Sequence, residues 1–445
     1  MHITSIQRPT SLPSVPRTGG PDPAPAEDRF VPSEWLPRPF PRTAAPAPVA
    51  APAAPEPGSK KEFWVWDMGV MPPGQKAITA TCRAVGDAAY VFVDDAVWER
   101  LVTEEDVDRV DRVLHRASPS GSVDPTRGVA GLDHAYFGAP PLGQDGDPKV
   151  YVLVTEIASF KGTTMDGYFN PFDTLTDEEA QQYGQRSNEA EVVYLNAASR
   201  RVSGDYMLGV LSHEYQHLLH HPHDSEEEPW LSEMIAEAAM SVNGFHTDYG
   251  HAVRHLAHPE RPLVSQTYVD YGACMLFGTY LLERYGKGFY QELASNPTHG
   301  VASIDQTLER LGQPERFGDL YRDWLVANYA DSRNVTAPGL HYASLDLPAP
   351  AETAAELPSR HELDLKPSGA RYLRLSPEAQ QIRLEGTAEG LTLEVLEFDG
   401  KRVRRTTVEL SEEGSVSLPG GGDRVLVVGS LAAEDRQLAL SFLPA

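Results

Sequence analysis

Two cysteines in 445 residues, Cys82 and Cys274, are too few for a disulfide framework. That excludes the small stapled scaffolds and leaves two buried thiols as the simplest reading, with a single bridge as the alternative. Positive charge is also scarce. The 38 Lys and Arg residues face 64 Asp and Glu, a formal net charge of -26, so nucleic-acid backbones and anionic membranes would be repelled rather than bound. No run of apolar residues approaches the roughly 20 that cross a bilayer, which argues against a helical membrane span. Nor does a continuous apolar segment follow Met1, so no ordinary secretory signal peptide is visible. Large apolar residues are sparse over residues 1–58, which end in APAPVAAPAAPEPG. Such a segment buries too little surface to offset its ordering entropy and reads as a disordered leader or removable pro-segment.

From Phe63 onward the pattern becomes globular. FWVWDM, AAYVFVDD, KVYVLVTEI (149–157) and EVVYLN (191–196) read as strands, and residues 103–116 carry valines and leucine at helical spacing. After Gly250 helix signals dominate, over 272–285, 304–311 and 317–329. Residues 346–365 include LPAPAETAAELPS and read as a linker. Beyond it the period changes to two: Leu373/Leu375, Leu391/Leu393/Val395, Val425/Val427 and Leu438/Leu440/Phe442 alternate with polar residues, with turns at Asp399-Gly400 and 420–422. About seven short strands predict a small antiparallel β-sandwich, whose alternation is a core signature and leaves substrate or surface binding as a secondary hypothesis. The expected organisation is α+β, with a leader 1–58, a main domain 59–345, a linker 346–365 and a β-sandwich 366–445.

The densest chemistry lies in HEYQH, residues 213–217. Helical positions four apart share a face, so His213 and His217 present two imidazoles to one point with Glu214 beside them. That pattern suits zinc with a general base at hand. A third ligand is needed, and Glu233, sixteen residues past His217 in PWLSEMIAEAA, is the candidate. Pro222 ends the first helix, the acidic run 225–228 reads as a solvated loop, Pro229 suits the first turn of a second helix, and Asn243-Gly244 stops it. Asp205 is the expected N-cap of the first helix. Glu237 lies one turn beyond Glu233 and is placed to accept the other ring N–H of a metal-bound histidine.

At these residues the chain resembles the gluzincin metallopeptidases, the clan of thermolysin and the zinc aminopeptidases, and within it the hyicolysin-type secreted neutral peptidases. SNEAEVVYLNA (187–197), HEYQH, PWLSEMIAEAA, YGACMLFGTYLLERYG and FGDLYRDWLVANYA carry the likeness over about residues 62–335. The asparagine usual before the ligand glutamate is Ser232 here. The resemblance implies a zincin-like domain, a mixed sheet over the zinc helix with a helical lobe opposite, and an edge strand that pairs with extended substrate. It implies Zn2+ on His213, His217 and Glu233, Glu237 behind a ligand histidine, and Glu214 as the base of a zinc endopeptidase acting on protein or peptide. It also implies a secreted enzyme, which conflicts with the lack of a visible signal peptide: either export uses another route or the enzyme acts inside the cell. Tyr271 and Tyr268, in YVDYGA, stand where related enzymes place a tyrosine facing the metal, and either is a candidate to stabilise the oxyanion; His246, Tyr249 and His258 are further donors.

Bland alternatives stand beside these readings. His220, His221 and His223 suit a helix C-terminus without any metal, His251 and His255 suit a partly exposed helix face, and Cys82 would matter only as a thiolate masking the metal. Two other functions compete. A zinc aminopeptidase or other amide hydrolase shares the chemistry, but no GxMEN-like amine anchor precedes the helix. A non-catalytic zinc scaffold would have no use for Glu214.

Overall fold

The computed structural model describes residues 54–444 apart from 160, 161, 163, 247–249, 268, 419 and 420. Most of the expected leader, residues 1–53, lies outside them, as do Tyr249 and Tyr268. The described part of the leader is already tied to the fold: the Gly58 N–H donates to the Cys82 carbonyl at 2.8 Å, so the globular chain begins a few residues before position 59. Compactness divides the described residues into two units, one of 54–246 with 287–299, the other of 250–286 with 300–444. Residues 250–286 and the helices after 300 therefore group with the C-terminal strands, and 287–299 with HEYQH, a division other than the expected boundary at 345.

The first unit is built on a six-stranded mixed sheet. Its strands are β1 (Lys60–Asp67), β2 (Gly74–Val85), β3 (Ala89–Asp94), β4 (Val150–Thr155), β5 (Gly167–Phe169) and β6 (Val192–Asn196), in the order β1-β2-β3-β4-β6-β5. β1 to β3 are antiparallel, β3, β4 and β6 run parallel, and β5 returns antiparallel along β6 as the edge strand. The three parallel strands are buried along their whole length, which is why they read as apolar runs and not as alternation. Helix α1 (Glu104–His115) begins at a capping box between Thr103 and Asp106, followed by α2 (Val129–Phe137) and the short α3 (Asp177–Gln181).

Two helices carry the motif, α4 (Asp205–His220) and α5 (Pro229–Val242). Gly204 is the N-cap of α4 and Asp205 its first residue, one position from the expected cap. From Met207 to His220 every residue of α4 is buried, so this helix is enclosed on all sides. Pro229 occupies the first turn of α5, where its missing N–H costs nothing, and Gly244, at φ +74°, ends the helix run after Asn243. The two helices lie antiparallel, since Gly209 faces Met240 while His217 faces Ser232.

The second unit contains α6 (Gly250–Ala257), α7 (Tyr271–Ala294, broken at Gly286, its last turns belonging to the first unit), α8 (Gly300–Arg310) and α9 (Phe317–Ala330). Nine strands follow: β7 (Glu352–Ala355), β8 (Ser359–Leu365), β9 (Ala370–Leu375), β10 (Gln381–Glu385), β11 (Leu391–Asp399), β12 (Arg402–Thr407), β13 (Ser415–Ser417), β14 (Asp423–Ser430) and β15 (Arg436–Leu443). They form sheets β13-β10-β15-β8 and β12-β11-β14-β9-β7, antiparallel except for β7 beside β9. Leu363, Ile382 and Leu440 of one sheet share a core with Leu373, Val395 and Leu426 of the other. β7 and β8 lie inside the expected linker; prolines flank them, but residues 352–355 and 359–365 are paired strand. Helix α9 belongs here because Tyr321 donates to the Gly369 carbonyl and Tyr372 donates to that of Leu325. Among the described residues no helix is long and apolar enough to cross a membrane.

Candidate metal centre

Antiparallel packing of α4 on α5 brings three ligating atoms together. His213 Nε2 lies 2.9 Å from Glu233 Oε2 and 3.1 Å from His217 Nε2, and His217 Nε2 lies 3.5 Å from Glu233 Oε2. Ligands about 2.0–2.1 Å from a tetrahedral zinc are about 3.3 Å apart, so the donor set fits that ion in chemistry and in spacing. His213 and His217 are 8% exposed and Glu233 is fully buried. Burial favours the neutral form of Glu233, but the charges of His217 and His213 and their hydrogen bonds hold the carboxyl well below the usual range. Burial likewise opposes charge on His213, yet hydrogen bonds to Glu233 and Glu237 raise its imidazole well above the ordinary value.

Both histidines are backed on their other ring nitrogen. Glu237 Oε1 is 3.5 Å from His213 Nδ1, and the Ser232 hydroxyl is 3.3 Å from His217 Nδ1. Ser232 thus uses its short side chain to hold His217. Glu237, although buried, is lowered to about 2 by its bonds to His213 and His246.

Glu214 stands beside the three ligating atoms without joining them. It is 7% exposed, and burial raises its carboxyl against the pull of His213 and His217. The Phe169 backbone N–H on β5 favours its charged form, a smaller effect than burial. That strand is held close. A Cβ at Gly167 would sit 2.7 Å from Val210 Cγ1 and 3.2 Å from Glu214 Cγ, so the glycine lets the edge strand reach α4. Asn196, at the end of β6, fixes the approach to β5: its side-chain amide donates to the Ile157 and Met165 carbonyls, and its oxygen accepts from Ile157 N–H.

No family model matches the chain, and neither does any curated protein. Among solved structures it is similar to the periplasmic inhibitor of g-type lysozyme from Salmonella Typhimurium, at 15% identity over 21% of this chain and 98% of that one, with a TM-score of 0.17. The inhibitor from Aeromonas hydrophila gives 15% identity over 21% of this chain and 96% of that one, with a TM-score of 0.16. A 4-O-methyl-alpha-glucuronidase with specificity for decorated arabinogalactans gives 10% identity over 70% of this chain and 54% of that one, with a TM-score of 0.12. Likeness at this level assigns neither fold nor activity.

Tyr271 opens α7 in the second unit with its ring 5.9 Å from that of His251. His255 is not on an exposed face: it is 3% exposed, pairs with Asp270 at 3.3 Å and stacks on Trp324. His258 is solvent-facing beside Glu260. His220 is buried and lowered to about 3 by that burial, the His221 ring packs on Phe169, and His223 is exposed. Cys82 is buried, and desolvation pushes its thiol up to about 11, so it is no thiolate at neutral pH. The acidic run is only partly solvated. Asp224 and Glu227 are buried, and with His299 they form a second convergence of ligating atoms, Asp224 Oδ2 lying 2.8 Å from His299 Nδ1. His299 is remote in sequence, so no spacing rule pointed to it. His246 and Ser232 also touch the histidine–carboxylate cluster, contacts that neither the donor reading of His246 nor the place of Ser232 before the ligand glutamate foretold.

Proposed function

We propose that the chain is a zinc-dependent endopeptidase of the gluzincin type, with a zincin-like first unit, in which His213, His217 and Glu233 hold the ion. The observation that carries this reading is the buried triangle of ligating atoms at 2.9–3.5 Å with Glu214 next to it but outside it. When bound, zinc supplies a Lewis acid that polarises a carbonyl and makes water acidic near neutral pH.

The chain's own residues do the rest. Glu214, its carboxyl raised by burial, is suited to take a proton from water and pass it to a leaving amine. Close packing of β5 against Glu214 limits where the carboxylate can turn, and Ser232 and Glu237 keep the two imidazoles in register. Edge strand β5 is where an extended peptide would add to the sheet by strand pairing, and it carries Gly167 and Phe169 against the catalytic helix. Substrates are therefore unfolded or flexible protein segments. A non-catalytic scaffold is disfavoured because a buried carboxylate that binds no metal would be a cost without return.

Cleavage of unfolded casein with and without a chelator, by wild type and by Glu214→Gln, tests the reading. Wild type should carry about one zinc and cleave near neutral pH. The variant should retain zinc and be slower by about 10²–10⁴-fold, the scale of general acid–base catalysis. Equal rates would remove Glu214 from the mechanism, and a zinc-loaded wild type that cleaves nothing would favour the scaffold.

A further inference from the structure

The carboxylate behind His213 serves a second imidazole. Glu237 Oε1 faces His213 Nδ1 at 3.5 Å, while Oε2 faces His246 Nε2 at 3.3 Å. His246 Nδ1 lies 2.7 Å from the Ser241 hydroxyl. The side chains of His246 and Glu237 are only about one-tenth exposed. With Ser241 donating to Nδ1, the His246 hydrogen sits on Nε2, the nitrogen that faces Glu237 across the 3.3 Å contact, and the other carboxylate oxygen faces His213 Nδ1. A chain of contacts thus runs Ser241, His246, Glu237, His213.

The backbone fixes where His246 stands. Phe245 N–H donates to the Met240 carbonyl and Gly244 N–H to that of Ser241, the closing bonds of a helix end. Gly244 turns the chain at φ +74° and is pressed on backbone: a Cβ there would lie 2.4 Å from Ser122 N and 2.6 Å from Gly121 C. The turn leaves little freedom in how His246 is delivered. Glu237, by contrast, hangs on a stem with three rotatable bonds, and a single partner would leave its carboxylate free to swing.

We propose that His246 is a positioning residue of the metal centre. By holding Glu237 Oε2 it keeps Oε1 on His213 Nδ1, and so fixes the tautomer and ring orientation that aim His213 Nε2 at the ion. The inference rests on the metal-centre reading above and goes beyond it, since no ligand motif includes His246.

The test uses the full chain and four variants: His246→Ala, His246→Gln, Ser241→Ala and Glu237→Ala. The rate at which zinc passes to excess chelator is measured, together with the visible spectrum of the Co2+-substituted protein. Wild-type zinc content is determined first; a wild type that binds no zinc overturns the metal reading and this inference with it. With zinc present, His246→Ala should speed zinc loss about 10-fold, the low end for losing a partner of a ligand, and shift the Co2+ bands. His246→Gln, which keeps an N–H donor, should restore most of the wild-type rate. Glu237→Ala should match or exceed His246→Ala. If His246→Ala does not fold, Ser241→Ala, which removes one hydroxyl at the far end, carries the test with a smaller change in the same direction. Zinc loss within twofold of wild type and an unchanged Co2+ spectrum in the folded variant, while Glu237→Ala speeds loss, would overturn the proposal and reduce His246 to a packing residue.

Discussion

Gly167→Ala probes how closely β5 is pressed on α4, the helix that carries HEYQH. The new Cβ would meet Val210 Cγ1 at 2.7 Å, the Tyr194 carbonyl oxygen at 2.8 Å and Glu214 Cγ at 3.2 Å. Tyr194 lies in the buried strand β6, so its carbonyl cannot retreat, and Val210 is fixed in the enclosed helix α4. Relief requires β5 to lift away from α4, against its pairing with β6. Overpacking of this kind costs about 1–3 kcal/mol. For a unit of about 200 residues each kcal/mol moves the melting temperature by about 2–4 °C, so a fall of about 2–12 °C is expected. A second effect follows from the third contact. Pushing Glu214 Cγ shifts the carboxylate from the Phe169 N–H, and misplacement by about 1 Å can cost on the order of 10²-fold in rate. Zinc content should not change, because no ligand is touched. Calorimetry, metal analysis and casein turnover on the same preparation separate the effects. Wild-type melting and turnover together would refute the close approach, and loss of zinc would show that the disturbance spreads along α4.

Glu233→Ala should abolish stoichiometric zinc binding, whereas full occupancy measured by metal analysis would shift the ligand role to another residue. The pH dependence of stability should carry the mark of Asp173, which burial pushes up to about 7 despite hydrogen bonds from Tyr194 and Asn188. Below about pH 4 folded and unfolded chains both hold this proton; between there and about 7 only the folded chain does, so the contribution is lost as pH rises through that window. Denaturant unfolding between pH 4 and 8 should show this slope, and Asp173→Asn should flatten it; an unaltered slope in the variant would assign it to other groups.

The parts of the fold that were legible in the sequence are those whose signal is local. HEYQH and WLSEM sit on helices because their apolar residues recur at helical spacing, and Thr103, Pro229 and Asn243-Gly244 mark helix ends by local chemistry. β4 and β6 were readable as unbroken apolar runs. β5 was not, since three residues, Gly167 to Phe169, carry no period and become a strand only by pairing with β6. The strands at 352–355 and 359–365 were hidden by prolines that flank them. Glu227 was read as solvated and His255 as partly exposed because burial of a charged residue depends on a remote partner, His299 near the first and Asp270 for the second. Ser232 and His246 show the same limit at the site itself: their contacts with His217 and Glu237 are set by helix packing, which spacing alone does not encode.

The placement of Glu214 weighs most between catalyst and scaffold. Five ionisable groups, His213, Glu214, His217, Glu233 and Glu237, are buried between two helices and an edge strand, where each charge is expensive unless compensated. Four of them compensate one another through contacts of 2.9–3.5 Å, as a metal-binding set does. Glu214 is the exception: it stands outside those contacts, and its carboxyl is raised toward the neutral form by burial. A residue selected only for packing would be better as glutamine or leucine, which bury at less cost. A carboxylate kept beside three ligating atoms, close to the edge strand and raised by burial, supports the proposed role of a base for water over that of a packing residue.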